Sequence, residues 1–127
     1  MICNVAQQTG DLNNTGHIIN KLSASTSSGI SLVNNTNISV HSTGLYMISA
    51  NIILDKGFNS INNELAIFRY KNDGSNQTLL TASKFYVGTC IHASHMNILS
   101  WIDAEAYIQI HAIGCVTGGW ISIFRVF

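Results

Sequence analysis

The sequence predicts an all-β domain, a two-sheet antiparallel sandwich of jelly-roll type with eight to ten strands. Its apolar runs are short, alternating and bounded by Asn, Gly, Ser or Asp, which is how half-buried strands read. No window of a dozen residues sustains the i, i+3, i+4, i+7 spacing of a capped helix, so no helix longer than one turn is expected. The last ten residues, Gly118-Gly-Trp-Ile-Ser-Ile-Phe-Arg-Val-Phe127, are apolar, β-branched and aromatic, and read as a strand held inside a sheet. A closed barrel is the alternative way to arrange the same strands.

Residues 2–7, 17–22, 30–33 and 37–40 are short strand candidates, separated by Asn, Ser, Thr and Gly, and are expected at sheet edges. Residues 44–54 form the clearest strand. Tyr46, Ile48, Ala50, Ile52 and Leu54 share one wholly apolar face, while Leu45, Met47, Ser49, Asn51 and Ile53 share the other. Residues 64–70 and 77–87 flank Lys71-Asn-Asp-Gly-Ser-Asn76, whose residues tolerate positive φ, and this predicts a hairpin. Residues 91–102 and 105–113 flank Asp103-Ala104, and residues 114–119 are read as the turn into the final strand. The second half is thus expected to be a continuous antiparallel meander.

At 127 residues the chain is read as one domain spanning residues 1–127, long enough to bury roughly two-thirds of its unfolded surface. Charged residues make up 9% of it, against about 25% in an ordinary chain. The six basic residues equal the six acidic ones, so nothing favours nucleic acid or an anionic membrane. No apolar run approaches the roughly 20 residues of a membrane helix, and no signal segment opens the chain. The expected class is soluble, with no membrane insertion. Cys3, Cys90 and Cys115 lack Cys-x-x-Cys spacing and are read as buried thiols, with a Cys90–Cys115 bridge as the alternative.

Three segments carry a resemblance to a family. Gly44-Leu-Tyr46-Met-Ile48-Ser-Ala50 is similar to the Gly-x-Tyr strand of the complement component q globular head and tumour necrosis factor superfamily. Ile98-Leu-Ser-Trp-Ile-Asp103-Ala-Glu-Ala-Tyr107-Ile-Gln-Ile110 resembles the strand-turn-strand where that family writes Gly-Asp. Gly119-Trp-Ile-Ser-Ile-Phe124 is similar to its closing inner-sheet strand. The resemblance implies a ten-stranded jelly roll that assembles as a homotrimer. Departures from the animal members are the absence of Pro, Asp103-Ala-Glu105 in place of Gly-Asp, and no collagen-like repeat. They point to a viral, phage or bacterial relative.

An excess of apolar surface fits such an assembly. In the final strand Trp120, Phe124 and Val126 alternate with Ile121, Ile123 and Phe127, so one set fills the core and the other faces something dry. The expected trimer interface comprises Tyr107, Gln109, His111, Trp120, Ser122, Phe124 and Val126, with His111 as a candidate for an axial ion shared by three copies.

Catalytic and metal readings are weak. His92 and His95, three apart in a strand, fall on opposite faces and cannot chelate together. His17, His41 and His111 have no ligand-spaced partner. A Cys, His and acid set exists on paper, but no nucleophile elbow, oxyanion glycine turn or paired carboxylates accompany it. Asp103 and Glu105 read as a solvated turn before a calcium pair. Asn-x-Ser/Thr sequons at Asn13, Asn34, Asn37 and Asn76 match what composition alone supplies. No cofactor and no enzymatic activity are expected.

The leading expectation is a non-enzymatic trimeric head on a virion or cell surface, whose loops face a protein or glycan receptor. Phe58, Asn59, Asn72, Asp73 and Asn76 are its ligand-facing candidates, since binding residues concentrate on loops carried by rigid scaffolds. The alternatives are a capsid decoration or cement trimer and, less favoured, a secreted signalling ligand.

Overall fold

A computed structural model describes residues 1–8, 16–25, 27–55, 63–85 and 92–127. Among them run eleven strands: β1 (Ile2–Val5), β2 (His17–Ile18), β3 (Leu22–Ala24), β4 (Ile30–Val33), β5 (Asn37–Val40), β6 (Gly44–Asp55), β7 (Asn63–Tyr70), β8 (Thr78–Phe85), β9 (His92–Ile102), β10 (Tyr107–Ile113) and β11 (Cys115–Arg125). The first sheet has the order β3-β1-β11-β6-β9 and the second β4-β5-β10-β7-β8, with β2 also beside β10. All pairings between these strands are antiparallel, and no described residue is helical.

Alternation explains why two layers form. β6 turns Tyr46, Ile48, Ala50, Ile52 and Leu54 inward, each at most 2% exposed. β11 adds Ile121 and Ile123, and the facing sheet supplies Ile38, Val40, Leu65, Ile67, Ile108 and Ile110. Burying each large aliphatic side chain stabilises the fold by about 1.5–3 kcal/mol, so a single core between the sheets outweighs any monolayer. The buried Tyr46 hydroxyl donates to the Ser42 carbonyl at 2.7 Å, which keeps its polar end satisfied.

Two hairpins stay within the second sheet. Between β4 and β5, Asn34 and Asn35 take φ of 55° and 57°, and the Thr36 N–H closes the turn on the Val33 carbonyl at 3.1 Å. Between β7 and β8, Gly74 takes φ of 83°, and the Asp73 carboxylate accepts from the Ser75 N–H at 2.9 Å and hydroxyl at 2.6 Å.

The meander expected of the second half does not form. β6, β9 and β11 lie in one sheet and β7, β8 and β10 in the other, so apart from the β7–β8 hairpin each connection from β6 to β11 crosses the sandwich. After β9 the Asp103–Ala106 link, with Glu105 at φ 66°, carries the chain across the roughly 10 Å between sheets instead of reversing it in plane. Residues 114–119 are not a turn either: β11 starts at Cys115 and pairs with β6 through a bulge between Val116 and Gly118. Residues 17–22 divide between β2 in the second sheet and β3 in the first, with Ile19 fully buried between them. That division takes the strand count above the expected ten.

Candidate functional site

Three surfaces follow from this topology. The first is the outward face of the β3-β1-β11-β6-β9 sheet. Register places Phe124, Met47 and Leu99 in one row, with Leu45 and Trp101 paired in the next. Val126, just past β11, is held beside them by a 2.7 Å bond from its N–H to the Leu45 carbonyl. Phe124, Leu99, Trp101 and Val126 are each about half exposed. A polar row of Ser122, Ser49 and Asn97 follows, in which the Ser49 hydroxyl donates to Asn97 Oδ1 at 2.5 Å. Beyond it lie Trp120, Asn51 and His95, the His95 ring meeting Trp120 edge-on at 6.1 Å. A hollow of about 450 Å³ lies between Ile2, Asn4, Ser49, Trp120 and Ser122.

Of the seven residues expected at one interface, Trp120, Ser122, Phe124 and Val126 belong to this face. Tyr107, Gln109 and His111 lie on β10, on the outward face of the opposite sheet. One axis cannot be lined by both faces. The two groups come apart because consecutive strands β10 and β11 cross the sandwich, a long-range outcome that the alternation within each strand does not reveal. Leu45, Met47, Leu99 and Trp101 take the vacated place beside Phe124. The signal for Leu45 and Met47 was present in the second face of residues 44–54, whereas Leu99 and Trp101 lie on β9 and join them only through strand register.

On the second face, Tyr107, Gln109 and His111 join an aromatic terrace with Phe68 and Tyr70. Tyr70 stacks on Tyr107 at 5.2 Å, and His111 packs on Phe68 at 4.5 Å. Gln109 Nε2 donates to Asn37 Oδ1 at 2.7 Å, and its carbonyl oxygen lies 3.2 Å from His111 Nε2. That carbonyl can only accept, so His111 carries its proton on Nε2. The Tyr70 hydroxyl, 3.2 Å from the same nitrogen, accepts from Gln77 Nε2 at 2.8 Å. Burial, and then the nearby His17, hold the His111 imidazole below its usual pKa. His17 is fixed in turn: its Nε2–H donates to the Gly114 carbonyl at 2.9 Å, and Nδ1 accepts from Gln8 Nε2 at 2.7 Å.

The third surface is a cleft of about 450 Å³ where the β7–β8 turn meets the β9–β10 link. Arg69, Lys71, Asn72 and Asn76 line one side, and Trp101 and Asp103 the other. Arg69 reaches from the second sheet to the first, donating through Nη1 to the Trp101 carbonyl at 2.6 Å and the Ser100 hydroxyl at 3.4 Å. Two of the ligand-facing candidates, Asn72 and Asn76, meet here, and Asp73 braces the turn behind them. Phe58 and Asn59 lie outside the described residues, as does Cys90. Sequence reasoning missed Arg69 and Trp101, because their approach depends on the edges of two different sheets meeting.

The remaining reactive groups are dispersed. Cys3 is fully buried, which pushes its thiol pKa up, and Cys115 is a half-buried free thiol. Glu105 sits 3.4 Å from His41 Nδ1, while His41 Nε2 meets the Ser31 hydroxyl at 2.7 Å. Among the described residues no three His, Cys, Asp or Glu side chains come close enough to hold a metal ion. No described helix is long and apolar enough to cross a membrane.

No family model and no curated protein matches this chain. Solved structures do. The structure of Eiger TNF from S. frugiperda superposes with a TM-score of 0.69 at 12% identity, over 100% of this chain and 92% of that one. Murine APRIL at pH 5.0 superposes with a TM-score of 0.75 at 6% identity, over 98% of both chains. Agreement of this extent at such low identity is agreement of fold, and the fold is the tumour-necrosis-factor-like jelly roll.

Proposed function

We propose that the chain is a non-enzymatic head domain that assembles as a homotrimer and binds a receptor at a virion or cell surface. The observation that supports this most is the outward face of the β3-β1-β11-β6-β9 sheet. Phe124, Met47, Leu99, Leu45, Trp101 and Val126 form a contiguous apolar area there, and a patch of this kind on a small domain marks an association surface. Association through it leaves the tip loops free, where binding residues sit on a rigid frame. The reading assigns the axis to the side of Trp120, Ser122, Phe124 and Val126 and removes Tyr107, Gln109 and His111 from it. Light scattering on the purified chain across a dilution series is the test: a mass three times that of the chain is expected, and a monomer at micromolar concentration would overturn the trimer.

A further inference from the structure

We infer that the cleft between the β7–β8 turn and the β9–β10 link binds an acidic saccharide, a pyranose carrying a carboxylate. The inference deepens the receptor reading by naming the ligand class that the tip takes. Its centre is Arg69. Nη1 is occupied by the Trp101 carbonyl and the Ser100 hydroxyl, which fix the guanidinium in place. Nε and Nη2 make no hydrogen bond to a described residue, and no described carboxylate lies within ion-pairing distance. A planar guanidinium held in position with unspent donors is suited to bidentate recognition of a carboxylate. Lys71 adds a second positive charge on the same wall, against one negative charge from Asp103.

The other walls favour a sugar over an acidic peptide. Asn72 and Asn76 carry amides that both donate and accept, as vicinal hydroxyls require, and the Asp103 carboxylate accepts from hydroxyls. The volume of about 450 Å³ lies in the range of small-ligand sites. An extended peptide would instead pair along a sheet edge.

The test is calorimetric and NMR titration of the full chain with methyl glycosides of N-acetylneuraminic acid and glucuronic acid, with methyl galactoside as the neutral sugar and N-acetylglutamate amide as the peptide-like acid. Acidic glycosides should bind at least about tenfold more tightly than either comparison ligand, the size of one charge-assisted contact. Arg69→Gln keeps a donor for the Trp101 carbonyl and should lose about that factor, with Lys71→Gln losing less. If Arg69→Gln does not fold, Lys71→Gln and Asn72→Ala, both at exposed turn positions, carry the test. Equal binding of neutral and acidic glycosides, equal binding of the glutamate amide, variants that bind like the parent, or no binding at all would each overturn the inference. Solution mass measured on the same samples separates the two readings. A binding-competent monomer removes the trimer and keeps the cleft, and a trimer without affinity removes the cleft alone.

Discussion

At Gly119 the backbone takes φ of 128°, and a Cβ there would collide with the Asn51 carbonyl and lie 2.9 Å from the Ile52 Cα. Both clashes are with the backbone of β6, which cannot move without tearing the central pairing of the sheet. Gly119→Ala should therefore cost about 3 kcal/mol or more, whereas Gly29→Ala, at φ 78° with nothing within 4 Å, should cost about 1–2 kcal/mol, both read from urea unfolding midpoints. His111 supplies a second residue-scale test. Its pKa is lowered in the folded chain by burial and by His17, so on acidification the unfolded chain takes up this proton first. Stability should fall as the pH drops below the ordinary imidazole value of about 6.5, and should stop falling through this group once the lowered folded pKa is passed. His111→Gln should lose less stability than the parent between pH 7.5 and 5.5 in the same denaturant series.

Individual elements were legible in the sequence wherever one local rule decided them. β4 and β5 fall at residues 30–33 and 37–40 as read, because Asn34-Asn35 is a turn signal that needs no distant partner. β6 was plain because one face is apolar throughout. The partition of β9, β10 and β11 between sheets was not legible. Each alternates correctly alone, and nothing in alternation says which strand is its neighbour. The same limit misplaced Tyr107, Gln109 and His111. Alternation within β11 does separate two fates that side-chain chemistry alone would merge. Ile121 is fully buried and Phe124 is about half exposed, so Ile121→Asp should yield no folded protein, from a buried unpaired charge of about 4 kcal/mol or more. Phe124→Asp should keep the parent's circular dichroism and lose its mass in light scattering. An unfolded Phe124→Asp would mean that this side chain supports the monomer instead.

The whole molecule combines a core that closes with a second apolar surface that does not. Composition hinted at the excess, because charges are scarce and β6 and β11 have apolar residues on both faces. The cleft had no comparable signal: Asn72 and Asn76 were visible as turn residues, but Arg69 enters it only by reaching across to the Trp101 carbonyl of the other sheet. If the second apolar surface is covered by copies of the same chain, folding and assembly share one free energy, and stability must depend on concentration by mass action. For three chains unfolding together, each tenfold rise in concentration adds about 1 kcal/mol per chain, which for a domain of this size moves the thermal midpoint by roughly 4 °C. Scanning calorimetry over a hundredfold range should show that upward drift in the parent and a flat line in Phe124→Asp. A parent midpoint independent of concentration, with reversible unfolding, would mean that the apolar face adds nothing to stability through self-association, and the trimer would have to be abandoned.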